Sequence, residues 1–306
     1  MFLKIKKINK HYSNTKVLNN VSFSIKKGEV ISVVGPSGSG KSTILKSISG
    51  FCEIDSGTIL LNSKSISEIE PSKRNIAYVF QDSPLFPHLS VIENILFNLK
   101  VFDHKKLNFL LKKIKIDHLK NRYPHEISGG ENQRVAVVRS LIRNPELLLL
   151  DEPFSNLDLS IKEHLKELVF SIIKELKTTT IIVNHDIQDS LEVSDRILIL
   201  LNGEIKSFDT PHSIYTKPKC LTSGRLFGLM NRINYDGDEF YCRPEHMNCT
   251  SSGLQLNVLN SKFTGPHYKI TAQLNSEKII FYDNKKYEKN EKIYINVAQK
   301  NKIYFY

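Results

Sequence analysis

The sequence predicts an α/β fold with a helical subdomain, followed by a small all-β domain. Apolar runs of strand length, without alternation of apolar and polar residues, recur along the first two thirds of the chain with helical patterns between them. Such runs are typical of strands buried on both faces in a parallel sheet. A glycine-rich turn joins the first of these runs to a helical stretch. After about Pro218 the chain changes to short aromatic and β-branched runs between turns, which predicts the all-β domain.

Five apolar runs are the candidate strands of the parallel sheet: Val30–Val34, Ile76–Phe80, Leu147–Leu150, Ile181–Val183 and Ile197–Leu201. Between the third and the fourth, SIKEHLKELVFSIIKELK has its apolar residues on one helical face, and Ser160 with Glu163 forms a candidate capping box. The segment from Val91 to Glu126 has helical spacing and no buried strand, so we predict a helical subdomain over about 84–130. We place the boundary after residue 232, which gives an α/β domain over 1–232 and an OB-like β domain over 233–306.

The composition is that of a globular protein. At 306 residues the chain is long enough for one large and one small domain, and its 40% hydrophobic and 25% charged residues exclude a disordered chain. The four cysteines form no CxxC pair, so we expect free thiols in a reducing cytoplasm. No apolar run approaches the roughly 18 residues of a membrane-spanning helix, and the N-terminus lacks the pattern of a signal peptide.

The strongest chemical signal is the run GPSGSGKST, which follows the predicted strand EVISVV and opens the helical stretch STILKSIS. This context is the one that a phosphate loop requires, because its glycines let backbone N–H groups surround phosphate oxygens at a helix N-terminus. We expect Lys41 to reach the β and γ phosphates and the Ser42 hydroxyl to ligate Mg²⁺. The nucleotide-binding residues predicted here are Gly35, Pro36, Ser37, Gly38, Ser39, Gly40, Lys41, Ser42 and Thr43.

Two carboxylates follow the apolar run LLLL, at the carboxyl edge of the predicted sheet. Asp151 is expected to hold Mg²⁺, directly or through water. Glu152 is a candidate general base for the water that attacks the γ phosphate, and the alternative is a carboxylate at a helix start or on the surface. His185 follows the strand TTTIIVN at the same edge, where its Nε2–H is expected to bond a γ-phosphate oxygen.

Two further residues are weaker candidates when they are considered alone. Gln81 ends the strand IAYVF, and a side-chain amide at this edge could contact Mg²⁺ or the attacking water, although glutamine is usually a surface residue. Tyr12 lies ahead of the phosphate loop, and its spacing alone indicates a core or edge aromatic.

In this order, the motifs GPSGSGKST, VFQD, ISGGENQR, LLLLDEP, SNLD and NHD resemble those of the nucleotide-binding subunit of the ATP-binding cassette (ABC) transporter family, over residues 1 to about 230. The resemblance implies an ATPase of the P-loop NTPase class with ATP and Mg²⁺ as cofactors. It also implies that Tyr12 stacks on adenine and that Gln81 links the γ phosphate to the membrane subunits. Glu152 would then be the general base, and His185 the switch at the γ phosphate.

The resemblance also accounts for the second glycine turn, ISGGENQR. In the family two copies pair head to tail, so Ser128, Gly129 and Gly130 of one copy would complete the ATP site of the other, with Asp158 across the same interface. A serine hydroxyl, bare glycine N–H groups and a helix N-terminus form an anion clamp. The sequence departs from the family at Glu131, where glutamine is usual.

The run RNIAYVFQDSPLFPHLSVIENILF, and the tail with CRPEHMN and SKFTGPHYKI, resemble importers that carry a C-terminal transport-associated OB-like domain. This group serves ferric iron, polyamines, sulfate, molybdate and sugars, and DEPFSNLD with LFPHLSV favours ferric iron, with polyamine next. The resemblance implies a peripheral protein at the cytoplasmic face of the inner membrane. Its partners would be a second copy, integral membrane permease subunits and, indirectly, a solute-binding protein.

The net charge of +11 leaves open another class of protein, a nucleic-acid ATPase that has the same ATP-hydrolysing domain. Lysines are spread along the whole chain, however, and neither sustained heptads nor a second GKST is present. We therefore favour a solvated lysine-rich surface and expect no nucleic-acid partner. The β-rich tail could be a small-ligand sensor or a support for the dimer, and we favour the support.

Overall fold

The computed structural model of the protein describes residues 1–82, 84–155, 158–184 and 186–305, with the backbone alone at positions 159 and 160. The chain forms two compact units, Met1–Pro211 and His212–Tyr306. Among the described helices, none is long and apolar enough to cross a membrane. The four cysteines are free thiols, as the sequence predicts.

The strands of the first unit are β1 Leu3–Tyr12, β2 Thr15–Ile25, β3 Val30–Val34, β4 Ser56–Leu61, β5 Lys64–Ser65, β6 Ile76–Val79, β7 Leu147–Asp151, β8 Thr179–Val183, β9 Arg196–Leu201 and β10 Glu204–Asp209. Its α-helices are α1 Lys41–Ser49, α2 Val91–Leu96, α3 His104–Lys113, α4 Gly129–Leu141, α5 Leu159–Glu175 and α6 Ile187–Val193.

A six-stranded sheet with the order β10-β9-β3-β8-β7-β6 lies at the centre of the first unit. Strands β9, β3, β8, β7 and β6 are parallel, and β10 pairs antiparallel with β9. Every residue of β3, β7 and β8 is buried, which explains their continuous apolar runs. The five predicted strands are confirmed, with ends that differ by two residues or fewer. Their carboxyl ends lie at one edge, where open α/β sheets bind ligands.

Each face of this sheet contributes to a separate apolar core. Along β7, Leu147 and Leu149 pack with α1 and with a second, antiparallel sheet of order β2-β1-β4-β5. Leu148 and Leu150 point the other way and pack with α2, α3, α4 and α5, as the alternation of side chains along a strand requires. The antiparallel sheet was not predicted, because register shifts interrupt the apolar alternation of β1 after Ile5.

The segment Val91 to Glu126 is helical, as predicted, and contains α2, α3 and two short 3₁₀ turns. The predicted capping box at Ser160 is wrong, because α5 already begins at Leu159 with Asp158 as its N-cap. Asp158 makes no side-chain capping bond, and Ser160 falls inside the first turn of the helix. Glu163 instead pairs with Lys166, with 2.9 Å between Oε2 and Nζ.

The second unit is rich in antiparallel strands. After α7 Pro211–Thr216 and α8 Leu221–Leu226 come β11 Asn231–Tyr235, β12 Asp238–Cys242, β13 Met247–Thr250, β14 Leu254–Phe263, β15 Tyr268–Leu274, β16 Glu277–Asp283 and β17 Lys292–Val297. Strands β11 and β12 form a hairpin, and the others form a sheet of order β13-β17-β14-β15-β16. Their inward-facing side chains share one apolar core, which confirms the predicted all-β module.

The second unit begins at His212, earlier than the predicted boundary after residue 232, and Arg243 provides the physical reason. Arg243 is 1% exposed, and its guanidinium carbon lies 3.8 Å from the centroid of the Tyr215 ring. Nε and Nη2 donate hydrogen bonds to the Tyr215 carbonyl at 3.1 Å, and Nη2 also donates to the Gly224 carbonyl at 3.2 Å. This buried side chain ties the segment that contains α7 and α8 to the strands.

Candidate nucleotide-binding site

The loop from Gly35 to Gly40 joins the end of β3 to the start of α1. Gly40 is the N-cap of α1, with φ of +102° and no side-chain capping bond, so the first N–H groups of the helix remain available to an anion. A Cβ at Gly40 would lie 2.8 Å from the Val17 carbonyl oxygen and 2.9 Å from Leu18 Cδ2. Only glycine therefore fits this position, because both the backbone angle and the close approach exclude a side chain.

The side chain of Lys41 folds back over this loop. Its Nζ donates hydrogen bonds of 2.9 Å to the carbonyls of Gly35 and Pro36. Burial lowers the pKa of Lys41, although the negative charges of Glu152 and Asp151 act against this shift. The loop thus holds the ammonium group of Lys41 at the carboxyl edge of the sheet, where the uncapped N-terminus of α1 also lies. This arrangement is suited to phosphate.

Asp151, the last residue of β7, is held on both carboxylate oxygens. Ser42 Oγ, on α1, donates a hydrogen bond of 2.9 Å to Oδ1, and the Tyr78 hydroxyl, on β6, donates one of 2.6 Å to Oδ2. Burial, followed by the hydrogen bond to Asp151, raises the pKa of Tyr78, so Tyr78 stays a donor. Asp151 itself is 8% exposed.

The paired oxygens of Ser42 and Asp151 fit Mg²⁺. No group of three or more His, Cys, Asp or Glu side chains with metal-ligand geometry occurs in the described part of the chain. Mg²⁺, however, is commonly held by one or two protein oxygens together with substrate phosphates and water. The donor set present is therefore the one expected where a nucleotide supplies the remaining ligands.

Glu152 follows Asp151 with φ of +47°, a rare conformation for a residue with a side chain. Its N–H donates to the Val183 carbonyl at 3.0 Å, and its carbonyl accepts the Ser155 N–H at 3.3 Å. The backbone of Glu152 is therefore fixed to the end of β8 on one side and closed into a turn on the other. Strained residues held in this way cluster at functional sites.

Gln81 is exposed and lies beside that turn. Its Nε2 donates a long hydrogen bond of 3.4 Å to Ser155 Oγ, and Ser155 Oγ donates to the Glu152 carbonyl at 3.1 Å. The structure thus places Gln81 next to the segment that follows β7, and no hydrogen bond joins it to Ser42 or Asp151 within the described residues.

Tyr12, at the end of β1, has 48% of its surface exposed. Its hydroxyl lies 3.2 Å from Cys52 Sγ, and Lys10 Nζ lies 5.5 Å from the ring centroid. The hydrogen bond with Cys52 raises the pKa of Tyr12, whereas a hydrogen bond with Thr43 lowers it. An exposed aromatic ring therefore lies beside α1, where it can stack on a base.

The second glycine turn begins α4, with Ser128 as its N-cap. Ser128 Oγ accepts the Glu131 N–H at 3.3 Å, and the Ser128 N–H donates to Glu131 Oε2 at 2.8 Å, so the two residues form a capping box. Ser128 and Gly129 are exposed, whereas Gly130 is buried. A Cβ at Gly129 would meet no atom within 4 Å, so open space surrounds the turn on that side.

Comparisons with known proteins agree with this geometry. A family model described as "ABC transporter" matches residues 18–155. The chain is 33% identical over 338 aligned positions to the Fe(3+) ions import ATP-binding protein FbpC of Fusobacterium nucleatum, and the alignment covers 97% of this chain and 91% of that relative. The chain belongs to the ABC transporter family.

Other ABC relatives carry names with different solutes. The sulfate/thiosulfate import ATP-binding protein CysA of Vibrio cholerae is 35% identical over 272 positions, covering 83% of this chain and 72% of that protein. The spermidine/putrescine import ATP-binding protein PotA of Legionella pneumophila is 36% identical over 279 positions, covering 89% of this chain and 75% of that protein.

A solved ABC structure is also similar. The dimeric post-hydrolysis state of the ATP-binding cassette MJ0796, bound to ADP and Pi, superposes with a TM-score of 0.61 at 30% identity. The superposition covers 68% of this chain and 98% of the MJ0796 chain. The prediction of an ABC ATPase fold of the P-loop class is thereby confirmed.

Within this ABC chain, the structure brings Lys41, Ser42 and Asp151 together at the sheet edge, with Glu152 close enough to affect the pKa of Lys41. Gln81, Tyr12 and the turn from Ser128 to Gly130 make their contacts outside this group. Two further predicted residues have no contact with it among the described residues. His185 lies outside the described residues. Asp158 is the N-cap of α5, where its carbonyl accepts the Lys162 N–H at 2.8 Å.

The sequence did not reveal three residues that support the ABC site. Tyr78 donates a hydrogen bond to Asp151, and Ser155 donates one to the Glu152 carbonyl in the turn that follows. Asn184, which is 5% exposed, donates a hydrogen bond of 3.1 Å to Ser32 Oγ. This bond fixes the end of β8 to β3. Asn184 could have been identified from the sequence, because it lies at the carboxyl end of a predicted strand. Tyr78 and Ser155 are identified as supporting residues only by their contacts in the structure.

Proposed function

We propose that the protein is the ATP-hydrolysing subunit of an ABC importer. In this proposal two copies form a head-to-tail dimer, and ATP binding and hydrolysis between them are coupled to solute uptake through separate membrane subunits. The observation that carries the proposal is the pairing of Ser42 with Asp151 beside the phosphate loop, in a chain that also exposes the Ser128 turn at the start of α4.

In the nucleotide-bound state, the loop N–H groups and Lys41 would hold the phosphates, and the Tyr12 ring would hold adenine. Ser42 and Asp151 would hold Mg²⁺. When bound, this ion supplies positive charge that neutralises the β and γ oxygens.

For hydrolysis, Glu152 would accept a proton from the attacking water, a contribution of about 10²- to 10⁴-fold in rate for a positioned base. The fixed backbone around Glu152 supports this role, because it holds the residue at the edge where the phosphates enter. Gln81 would contact Mg²⁺ or the attacking water and would link the γ phosphate to the membrane subunits. His185 would bond a γ-phosphate oxygen.

The second copy would complete the site. Ser128 Oγ and the N–H groups of Gly129 and Gly130 would contact the γ phosphate held by the other copy, with Asp158 at the same interface. The helix N-terminus behind them adds a partial positive charge. Loss of the γ phosphate would remove these bridging contacts and open the dimer. The likeness to a dimeric cassette bound to ADP and Pi supports this arrangement.

The membrane partners would bind the helical subdomain. In the segment from Pro84 to Glu126, Phe86, Phe97 and Val101 are 37%, 44% and 88% exposed, and the rings of Phe86 and Phe97 lie 4.4 Å apart. An exposed contact between two aromatic rings, such as that of Phe86 with Phe97, is typical of a protein interface. The protein would then sit at the cytoplasmic face of the inner membrane, with a solute-binding protein as an indirect partner.

For the solute we propose ferric iron, because the relative that aligns with 97% of the chain is named as an Fe(3+) importer subunit. Polyamine is the next candidate, followed by sulfate, molybdate and sugars. The second unit would support the dimer as an OB-like accessory domain rather than sense a ligand.

The test of this proposal is Glu152→Gln, studied with and without ATP. The variant should lose turnover yet accumulate an ATP-bound dimer in size-exclusion chromatography. A variant that binds ATP but stays monomeric would contradict the shared site. In parallel, co-expression with the neighbouring permease genes and purification from membranes should recover the permease subunits, and recovery of the ATPase alone would argue against an importer.

A further inference from the structure

The Ser128 hydroxyl, which the proposed function assigns to the γ phosphate of a second copy, is already engaged within its own chain. Ser128 Oγ lies 2.9 Å from Glu131 Oε2, to which it donates its proton. The same carboxylate oxygen accepts the Ser128 backbone N–H at 2.8 Å. Both donors of Ser128 therefore converge on one negatively charged atom.

We propose that Glu131 is a positioning residue that holds the Ser128 hydroxyl and weakens the ATP-dependent dimer. The γ phosphate of the second copy must displace this carboxylate from the hydroxyl before the composite site closes. The proposal rests on the proposed function, because it requires that Ser128 contacts a phosphate held by another copy.

The first step of the argument concerns the proton. A serine hydroxyl has a single proton to donate, and an ionised carboxylate only accepts. As long as Ser128 donates to Glu131, a phosphate oxygen at the turn meets an oxygen lone pair rather than a donor. Closing the dimer therefore requires that one short, charge-assisted hydrogen bond be exchanged for another.

The second step concerns charge. The Ser128 backbone N–H lowers the pKa of Glu131, and the Ser128 hydroxyl, Arg134 and His118 also lower it, so the side chain is an anion at neutral pH. An anion at the start of a helix stabilises that helix but cancels much of the partial positive charge that would attract a phosphate. The charge that favours the free monomer thus opposes the dimer.

The size of the effect follows from Coulomb's law. Two unit charges about 5 Å apart in a water-like medium repel enough to change an equilibrium constant roughly fourfold. A head-to-tail dimer contains two such sites, so the combined effect is about fifteenfold.

The test is Glu131→Gln in the Glu152→Gln background. Glutamine keeps an acceptor for the Ser128 N–H and is compatible with a capping box, so only the charge changes. We expect the dimer dissociation constant in ATP, measured by analytical ultracentrifugation, to fall about fifteenfold, while ATP affinity of the dilute monomer stays the same. The difference should shrink as NaCl is raised, because salt screens exposed charges.

The chain supplies a matched control at the start of α2. There Ser90 and Glu93 make the same three bonds, with the Ser90 N–H 2.7 Å and Ser90 Oγ 2.6 Å from Glu93 Oε2, and the Glu93 N–H 3.4 Å from Ser90 Oγ. Glu93→Gln removes the same charge as Glu131→Gln from a capping box with the same bonds. It should leave the dimer dissociation constant unchanged. A second variant, Glu131→Ala, removes the carboxylate altogether and should also tighten the dimer, although it loses the cap and melts earlier.

The outcomes separate the two proposals. If the Glu152→Gln parent dimerises with ATP but Glu131→Gln does not bind more tightly, or if Glu93→Gln tightens the dimer equally, the role of Glu131 is refuted and the shared site stands. If neither the parent nor the Glu131 variants dimerise with ATP at any concentration, the shared site is refuted and the role of Glu131 falls with it.

Discussion

Ser42 Oγ donates a hydrogen bond of 2.9 Å to Asp151 Oδ1, which joins the second residue of α1 to the last residue of β7. The other carboxylate oxygen accepts the Tyr78 hydroxyl at 2.6 Å. The carboxylate is therefore oriented by its own chain, and little rearrangement is needed when a cation enters beside Ser42.

Asp151→Asn is expected to remove the contribution of Mg²⁺ to nucleotide binding. An amide oxygen is a neutral and weaker ligand for a hard cation, so ATP affinity in Mg²⁺ should fall at least tenfold, by analogy with typical losses of about 10- to 100-fold at metal sites. The measurement is a fluorescence titration with an ATP analogue in Mg²⁺ and in EDTA. Tyr78→Phe leaves the carboxylate and the Ser42 bond in place, so its Mg²⁺ dependence should persist. If Asp151→Asn and the wild type bind the ATP analogue with equal affinity in Mg²⁺, Asp151 does not hold the ion.

Ser128→Arg is expected to separate nucleotide binding from dimerisation. Ser128 is exposed at the start of α4, so an arginine fits in the monomer, and loss of the cap costs only about 1 kcal/mol. ATP binding by isothermal titration calorimetry should be unchanged, whereas turnover should be lost. Ser128→Ala, which loses the cap without adding bulk, should retain part of the dimer. An arginine variant that still forms a dimer with ATP would show that this turn does not face a second copy.

Strand β7 was predictable because a strand that is buried on both faces has a continuous run of apolar residues in the sequence. Leu147 to Leu150 are apolar without interruption and lead straight to Asp151, so both the strand and the placement of the carboxylate follow from one pattern. The strands of sheet β2-β1-β4-β5 have a weaker apolar pattern in the sequence, because they are half-exposed and irregular in register.

The supporting residues of the site were not predictable in the same way. Tyr78 occupies a strand position where an aromatic residue is common, and only its contact with Asp151 identifies its role. The boundary between the units depends likewise on Arg243, whose bonds to Tyr215 and Gly224 join segments that are separate in the sequence. Tertiary contacts of this kind have no local pattern.

Arg243→Lys is expected to destabilise the second unit by about 1–3 kcal/mol. An ammonium group cannot donate to both the Tyr215 and the Gly224 carbonyl in the planar geometry of arginine, nor stack on the Tyr215 ring. Limited proteolysis should therefore cut within residues 212–232 faster than in the wild type. The control is Arg232→Lys, because Arg232 forms an exposed pair with Glu239 and such pairs contribute less than about 1 kcal/mol. Equal protection of both variants would mean that Arg243 does not hold this segment.

Lys166→Met is expected to weaken the attachment of α6 to α5. Lys166 is 4% exposed, and its Nζ lies 3.0 Å from Asp189 Oδ1 and 2.9 Å from Glu192 Oε2. Removing the ammonium leaves buried Asp189 with Lys162 as its remaining partner, 2.7 Å from Oδ2. We therefore expect a loss of about 1.5–3 kcal/mol, the typical contribution of a hydrogen bond to a charged group, measured by urea unfolding. The exposed pair Lys113–Glu175 gives the matched control, since Lys113→Met should cost less than about 1 kcal/mol.

The pH dependence of this ion pair distinguishes an electrostatic role from simple packing. Burial opposes the charged form of Lys166, but hydrogen bonds to Glu163, Glu192 and Asp189 outweigh it and raise the pKa of Lys166 above its usual range. A raised folded-state pKa means that the contribution is complete below about pH 10 and is lost as the pH rises through the folded value. The stability difference between the wild type and Lys166→Met should therefore be constant from pH 7 to about pH 9 and shrink above the lysine pKa of about 10.4. A difference that persists unchanged at alkaline pH would show that the aliphatic part of Lys166, rather than its charge, holds α6 in place.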